Sequence, residues 1–183
     1  RGEFHTLVGK RIGIVGLGRI GSRVAKRLAG WECELVYHDV IDHPADYVAA
    51  TGAKRVSFDD LVSTCDIITL HVPQDRVTTH MMSDREFEMM KPTGILINTC
   101  RGPVVDENAL IRALESKEIF AAGLDVTDPE PLPRDHPLLQ LDNVTIAPHL
   151  GSATEQTRQR MAEISVENLW AGLAGKELLH RVV

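Results

Sequence analysis

The chain lacks the long apolar runs of a membrane protein: no stretch approaches the roughly 20 residues that a bilayer-crossing helix needs. Positive charge is also in short supply, with 20 Lys and Arg against 26 Asp and Glu and a net charge of −6. That balance gives no general attraction to nucleic acid or to an anionic membrane surface, so neither partner is expected. Cysteine is scarce too. Cys33, Cys65 and Cys100 are odd in number and lack metal-ligand spacing, which predicts reduced thiols, a cytoplasmic setting and no metal site. The opening residues Arg1-Gly-Glu-Phe-His-Thr6 have no apolar core of the kind a signal peptide carries. No repeat with a period of 20–50 residues is visible. What remains is the composition of one ordinary globular domain: 183 residues, 43% hydrophobic and 25% charged.

Short β-rich apolar runs alternate with helical patterns, which predicts βαβ units and a doubly wound, Rossmann-type α/β fold. Candidate strands are Arg11–Val15, Cys33–Tyr37, Lys54–Val56, Asp66–His71, Gly94–Asn98, Phe120–Leu124 and Asn143–Ile146. Right-handed crossovers then give a parallel sheet in the order 3-2-1-4-5-6-7. Helix starts are signalled by Ser57-Phe-Asp-Asp60, Ser83-Asp-Arg-Glu86 and Ser152-Ala-Thr-Glu155, and Pro44 suits a first helical turn that Gly52 ends. In the last helix Met161, Ile164, Val166, Leu169, Trp170 and Leu173 recur at helical spacing, which predicts one broad buried stripe. Asp128 to Pro137 holds four prolines and reads as a stiff exposed loop. No internal domain boundary is apparent.

The most specific feature is Gly16-Leu-Gly18-Arg-Ile-Gly21, directly after the first strand and opening a helix. Gly16 permits the tight turn, Gly18 lets backbone amides approach a pyrophosphate, and Gly21 allows close helix–strand packing. The helix N-terminus adds positive potential. About 20 residues further on, Asp39 ends the second strand, where a carboxylate can accept from an adenosine ribose. A 2′-phosphate would face that charge, and Val40, Ile41, Asp42 and His43 supply no Arg to receive it, so NAD is expected over NADP.

Polar residues follow three late strands, at the edge where ligands bind an open parallel sheet. Arg101 offers a planar fork for a carboxylate. His149 suits proton donation near neutral pH, and Glu130, if it reached His149, would raise that pKa and fix the ring tautomer. Taken singly, each has an ordinary structural reading: a capping Arg, an exposed Glu, a histidine with a structural hydrogen bond. Cys100 has no evident partner as a nucleophile, Arg19, Arg23, Lys26 and Arg27 read as a solvated helix face, and His38 and His43 read as surface residues.

Taken together, Gly16–Gly21, Met90-Lys-Pro-Thr-Gly-Ile-Leu-Ile-Asn-Thr-Cys-Arg-Gly-Pro-Val-Val-Asp106, Gly123-Leu-Asp-Val-Thr-Asp-Pro-Glu-Pro131 and Ala147-Pro-His-Leu-Gly151 resemble the D-isomer-specific 2-hydroxyacid dehydrogenases. Within that family the proline-rich segment and Pro-His-Leu-Gly-Ser-Ala-Thr are most similar to the glyoxylate/hydroxypyruvate reductases. The resemblance implies that Arg101 binds a 2-oxo acid's carboxylate and carbonyl oxygen, that His149 protonates that oxygen, and that Glu130 pairs with His149. It also implies a cofactor site: Arg19 and Ile20 amides on the pyrophosphate, Asp39 on the ribose, His71-Val72-Pro73 at the adenine edge. Thr99, Cys100, Arg101, Asp125, His149 and Gly151 complete it around the nicotinamide.

In one respect the chain departs from that family, whose members wrap a second, substrate-binding domain from segments on either side of the cofactor domain. The expectation is therefore a cofactor domain over residues 1–183 without its substrate domain, inactive alone and homodimeric as the family usually is. Two alternatives share the motifs. Phosphoglycerate dehydrogenases carry all of them, whereas dinucleotide-sensing corepressors carry a Trp three positions after the histidine, where this chain has Ser152. Formate dehydrogenases have Gln at the Glu130 position.

Overall fold

A computed structural model describes residues 6–181; the start, read above as lacking leader character, falls mostly outside them, as do the last two residues. By compactness the chain forms two units, Arg1–Pro148 and His149–Val183. The sequence reading saw no boundary here, and this one divides the Ala147–Gly151 motif.

The first unit is built on seven strands: β1 (Arg11–Val15), β2 (Glu34–His38), β3 (Lys54–Arg55), β4 (Ile67–Leu70), β5 (Ile95–Asn98), β6 (Ala121–Leu124) and β7 (Val144–Ile146). Every pairing is parallel, in the order β3-β2-β1-β4-β5-β6-β7, as the alternation of strands and helices predicted. β1 matches its apolar run residue for residue, and the other strands are a residue or two shorter or shifted. At β4 the difference is one of definition, because Asp66 N–H still donates to the Arg11 carbonyl and His71 N–H to the Val15 carbonyl, both at 2.8 Å.

Five helices cover the sheet: α1 (Gly21–Leu28), α2 (Ala45–Ala49), α3 (Phe58–Thr64), α4 (Asp84–Met89) and α5 (Glu107–Glu115). Side chains of successive strand residues point to opposite faces, and the core divides accordingly. Ile12 and Ile14 of β1 pack with Ala25 of α1 and with Leu35 and Tyr37 of β2. Val15 belongs instead with Leu61 of α3, Phe87 of α4 and Leu110 of α5. Local chemistry sets the helix starts. Ser57 Oγ accepts from Asp60 N–H at 3.1 Å, Ser83 N–H donates to Glu86 at 3.2 Å, and Asp106 accepts from Ala109 N–H at 3.1 Å. Pro44 stands just before α2, and Gly52, with φ +71°, follows its end. At Gly21 no side chain fits, since a Cβ would run into the Gly16 carbonyl oxygen.

The second unit is dominated by one helix, α6 (Glu155–Leu173). Its cap is Thr154, whose Oγ1 accepts from Thr157 N–H at 3.2 Å, rather than Ser152. Two hydroxyls stand within three residues, and the backbone turns helical only after the second. The expected buried stripe is not buried: Met161, Val166, Leu169, Trp170 and Leu173 are exposed, and no residue of α6 reaches full burial. Apolar periodicity marks a face that gains from being covered but does not specify what covers it.

Phe87 is fully buried at the centre of the larger cluster. Its replacement by Ala removes a ring from a close-packed site and is expected to cost about 3–5 kcal/mol, read as a matching loss in denaturant unfolding. A loss below about 1 kcal/mol would mean that this cluster is not a packed core.

Candidate functional site

Three strand ends meet at one edge of the sheet. The turn after β1 is held open by Gly16, whose φ is +91° and whose Cβ, if present, would lie 2.7 Å from the His71 carbonyl oxygen. At Gly18 a Cβ would meet nothing within 4 Å, so the space above that backbone is open. Ile20 occupies the N-cap of α1 and makes no side-chain cap bond. The Ser22 and Arg23 amides donate to the Gly18 and Ile20 carbonyls at 3.1 and 2.9 Å, and the turn ahead of them sits at the positive end of the helix.

Beside this turn lies a cleft of about 650 Å³. Arg19 and Ile20 line it from the turn, His71, Val72, Pro73 and Gln74 from beyond β4, and Thr99, Cys100 and Arg101 from beyond β5. All but Gln74 were singled out from the sequence. The bend after β5 is fixed by Asn98, which is buried and had no assigned role. Its Oδ1 accepts from the Cys100 N–H at 3.1 Å and its Nδ2 donates to the Arg101 carbonyl at 2.9 Å. One amide thereby sets where Arg101 stands, and the guanidinium Nη1 also donates to the Cys100 carbonyl at 2.6 Å. Burial pushes the Cys100 thiol pKa up, leaving a protonated, inert sulfur. His71 has its Nε2 3.0 Å from Thr69 Oγ1, and burial lowers its pKa to about 4, so the cleft wall carries a neutral ring.

Asp39 ends β2 at the other side of the turn. Its Oδ2 accepts from Leu17 N–H at 2.7 Å, and its Oδ1 from Ile41 N–H at 2.9 Å. His43 Nε2 lies 2.9 Å from Oδ2, with only 13% of its side chain exposed. The expectation of a surface histidine is corrected here: the chain bends at Val40 and Ile41, and His43 points back at the acid. Burial pushes the Asp39 pKa up, but the bonds from His43, Ile41 and Leu17 together outweigh it and hold the carboxyl below its ordinary value.

Asp125 stands level with the Asn98 bend, its N–H donating to the Asn98 carbonyl at 2.9 Å. Glu130 is exposed in the proline-rich segment, which is anchored at both ends to Glu107 of α5. Asp128 N–H donates to Glu107 Oε2 at 3.3 Å, and His136 Nε2 lies 3.0 Å from Oε1. His149 and Gly151 belong to the second unit, where His149 adopts a left-handed backbone, φ +55°, unusual for a residue with a side chain. Among the described residues, no three His, Cys, Asp or Glu side chains group as metal ligands.

Residues 1–151 match the family pattern described as D-isomer specific 2-hydroxyacid dehydrogenase, NAD binding domain. The chain belongs to that family. It is 45% identical over 170 residues to a glyoxylate reductase of Thermofilum pendens, covering 93% of this chain and 50% of the relative. A crystal structure of a glyoxylate reductase from Paecilomyes thermophila superposes with a TM-score of 0.90 at 35% identity, over 97% of this chain and 53% of that one. D-lactate dehydrogenase with NAD+ from Lactobacillus jensenii superposes at 0.86 and 34% identity, over 95% of this chain and 56% of that one. The chain thus spans about half the length of the relatives it matches.

The geometry of this NAD-binding domain fits its cofactor. Open space above Gly18, an uncapped helix start and an adjacent cleft of the size small-molecule sites usually have suit a pyrophosphate with two nucleosides. The neutral His71 adds a stability signature. Its folded pKa of about 4 lies below the ordinary 6.5, so the unfolded chain binds more protons between these values. Stability is then full above about pH 6.5 and drains as pH falls through 4, by about 3 kcal/mol in all. Urea unfolding across that range should show the slope in the native chain and a flatter one in His71→Gln. Equal slopes would assign the loss to other groups.

Proposed function

We propose that this chain forms the cofactor-binding half of a reductase that transfers hydride between NADH and a small 2-oxo acid, with glyoxylate or hydroxypyruvate as the substrate class. The observation that carries this reading is the Arg101 bend, held by buried Asn98 at the mouth of the same cleft as the Gly16–Gly21 turn. A guanidinium fixed at that mouth can orient a substrate carboxylate by two parallel hydrogen bonds, which a hydrocarbon wall cannot do. The names of the relatives support the same substrate class.

In this reading NADH, when bound, supplies the hydride. Arg101 holds the carboxylate and carbonyl oxygen, His149 gives a proton to that oxygen, and Glu130 pairs with His149 to orient the ring. The Arg19 and Ile20 amides hold the pyrophosphate, and Asp39 accepts from the adenosine ribose. His71, Val72 and Pro73 stand at the adenine edge, while Thr99, Cys100, Asp125 and Gly151 border the nicotinamide. The domain works in the cytoplasm as a homodimer, with a substrate-binding domain closing the other side of the cleft. Free thiols at Cys33, Cys65 and Cys100 support a reducing compartment, and no described helix is long and apolar enough to cross a membrane.

Two experiments test the two halves. In a protein that carries this chain with its substrate domain, His149→Ala should lower turnover of glyoxylate by a factor of roughly 10² or more, with little change in NADH affinity. Turnover near the native value would refute the proton-donor role. For the chain itself, calorimetry should give NADH an advantage over NADPH of about ten-fold or more, since about 1.4 kcal/mol of charge repulsion at Asp39 is one decade. Asp39→Ala should narrow that gap, and equal or tighter NADPH binding to the native chain would overturn the assignment.

A further inference from the structure

Asp39 is close to saturated as a hydrogen-bond acceptor. A carboxylate offers about four lone-pair positions, and Leu17 N–H, Ile41 N–H and His43 Nε2 already lie at 2.7, 2.9 and 2.9 Å from its oxygens. Because a carboxylate only accepts, His43 must donate from Nε2. A ribose diol needs two acceptor positions, so His43 sits on one that the second hydroxyl also requires.

His43 is not a loose side chain. Its ring stacks on Tyr47 of α2, with centroids 5.1 Å apart and planes 25° from parallel. The Tyr47 hydroxyl lies 3.0 Å from the Leu17 carbonyl and 3.1 Å from that of Gly18, in the Gly16–Gly21 turn itself. Acid, imidazole, phenol and glycine turn therefore form one connected unit.

The other charged and titratable groups around it are accounted for. Asp42 pairs with Arg55 of β3, whose Nη2 also donates to the Asp39 carbonyl at 2.7 Å. Tyr37 of β2 has its ring 6.5 Å from that of His43. His38 turns away, with Nδ1 3.4 Å from the Val56 carbonyl and its ring against Phe58. Between pH 5.5 and 8.5 an Arg guanidinium and an Asp carboxylate keep their charges, and Tyr phenols stay neutral. An imidazole is the group whose charge can change there.

We propose that His43 is a specificity-determining residue of the adenosine end: neutral, it leaves the Asp39 charge to reject a 2′-phosphate, and protonated, it cancels that charge. The preference for NADH over NADPH therefore narrows on acidification. This rests on the reading that Asp39 meets the ribose.

The test is binding of NADH and NADPH to the native chain, His43→Gln, His38→Gln and Asp39→Ala, by calorimetry at pH 5.5, 7.0 and 8.5. A phosphate monoester itself titrates near pH 6, and that contribution is common to all four proteins. The expected result is an NADH-to-NADPH affinity ratio that falls by about five-fold more in the native chain and His38→Gln than in His43→Gln, as a single charge at this range implies. Parallel curves for the native chain and His43→Gln would overturn the proposal, and if Asp39→Ala still narrows the ratio at pH 8.5, only the His43 inference falls. An Asp39→Ala ratio equal to the native one at pH 8.5 would overturn both. A second measurement needs no variant. At pH 6.5, histidine proton NMR should show a larger protonated fraction of His43 in the NADPH complex than in the NADH complex, and equal fractions would also overturn the proposal.

Discussion

The position of β1 between β2 and β4 is the constraint on which the site depends. The chain leaves β1 for β2 on one side and returns through α3 to β4 on the other, so the connections diverge at the C-terminal end of β1. A crevice is left where the connections diverge. The ladder continues just past the strand ends: Gly16 N–H donates to the His38 carbonyl and His71 N–H to the Val15 carbonyl, each at 2.8 Å. These two bonds bring the glycine turn, the end of β2 with its acid, and the His71 wall to one level. Gly16 is required because its φ is positive and the His71 carbonyl comes too close for a Cβ.

Asp39 shows how much of such a site is invisible in the motif that announces it. The spacing from Gly16 identified an acid at the end of the second strand, and its geometry was open. The carboxylate ties the end of β2 to the glycine turn through Leu17 N–H and holds its own loop through Ile41 N–H. An acid here stabilises the turn even without ligand, because a charged acceptor makes a stronger bond to an amide than a neutral one.

The sheet order was legible because it follows from few facts: seven short apolar runs, helices between them, and right-handed crossovers. Helix starts were legible where one hydroxyl or carboxylate stood alone before an apolar pattern, as at Ser57, and not where Ser152 and Thr154 competed. Side-chain partners were not legible. Arg55, His43 and Tyr47 reach the end of β2 from separate elements, and no spacing rule connects them to Asp39. Asn98 could have been noticed, since a buried amide at a strand end must satisfy several hydrogen bonds and commonly does so by fixing the next bend. The stripe on α6 was legible as a pattern, but its exposure was not, because burial is a property of two surfaces and the sequence of one helix describes only one of them.

The proline-rich segment illustrates how an exposed side chain can be held in place without being buried. Glu130 is exposed, and four nearby prolines restrict the backbone without fixing where the loop lies. Position comes from the two ends. Glu107 receives Asp128 N–H at one and His136 Nε2 at the other, while Leu138, fully buried just beyond, prevents the far end from lifting. The His136 tautomer is set as well: Leu138 N–H lies 3.4 Å from Nδ1, which makes Nδ1 the acceptor and Nε2 the donor to Glu107. Burial pushes the Glu107 pKa up, so the acid that clamps the loop is itself destabilised as an anion and gains from each bond it receives. Since Glu107 opens α5, directly after the bend that carries Arg101, the loop with Glu130 and the arginine are positioned from a common base. Both side chains are exposed, yet the backbone that carries each is tied to the start of the same helix.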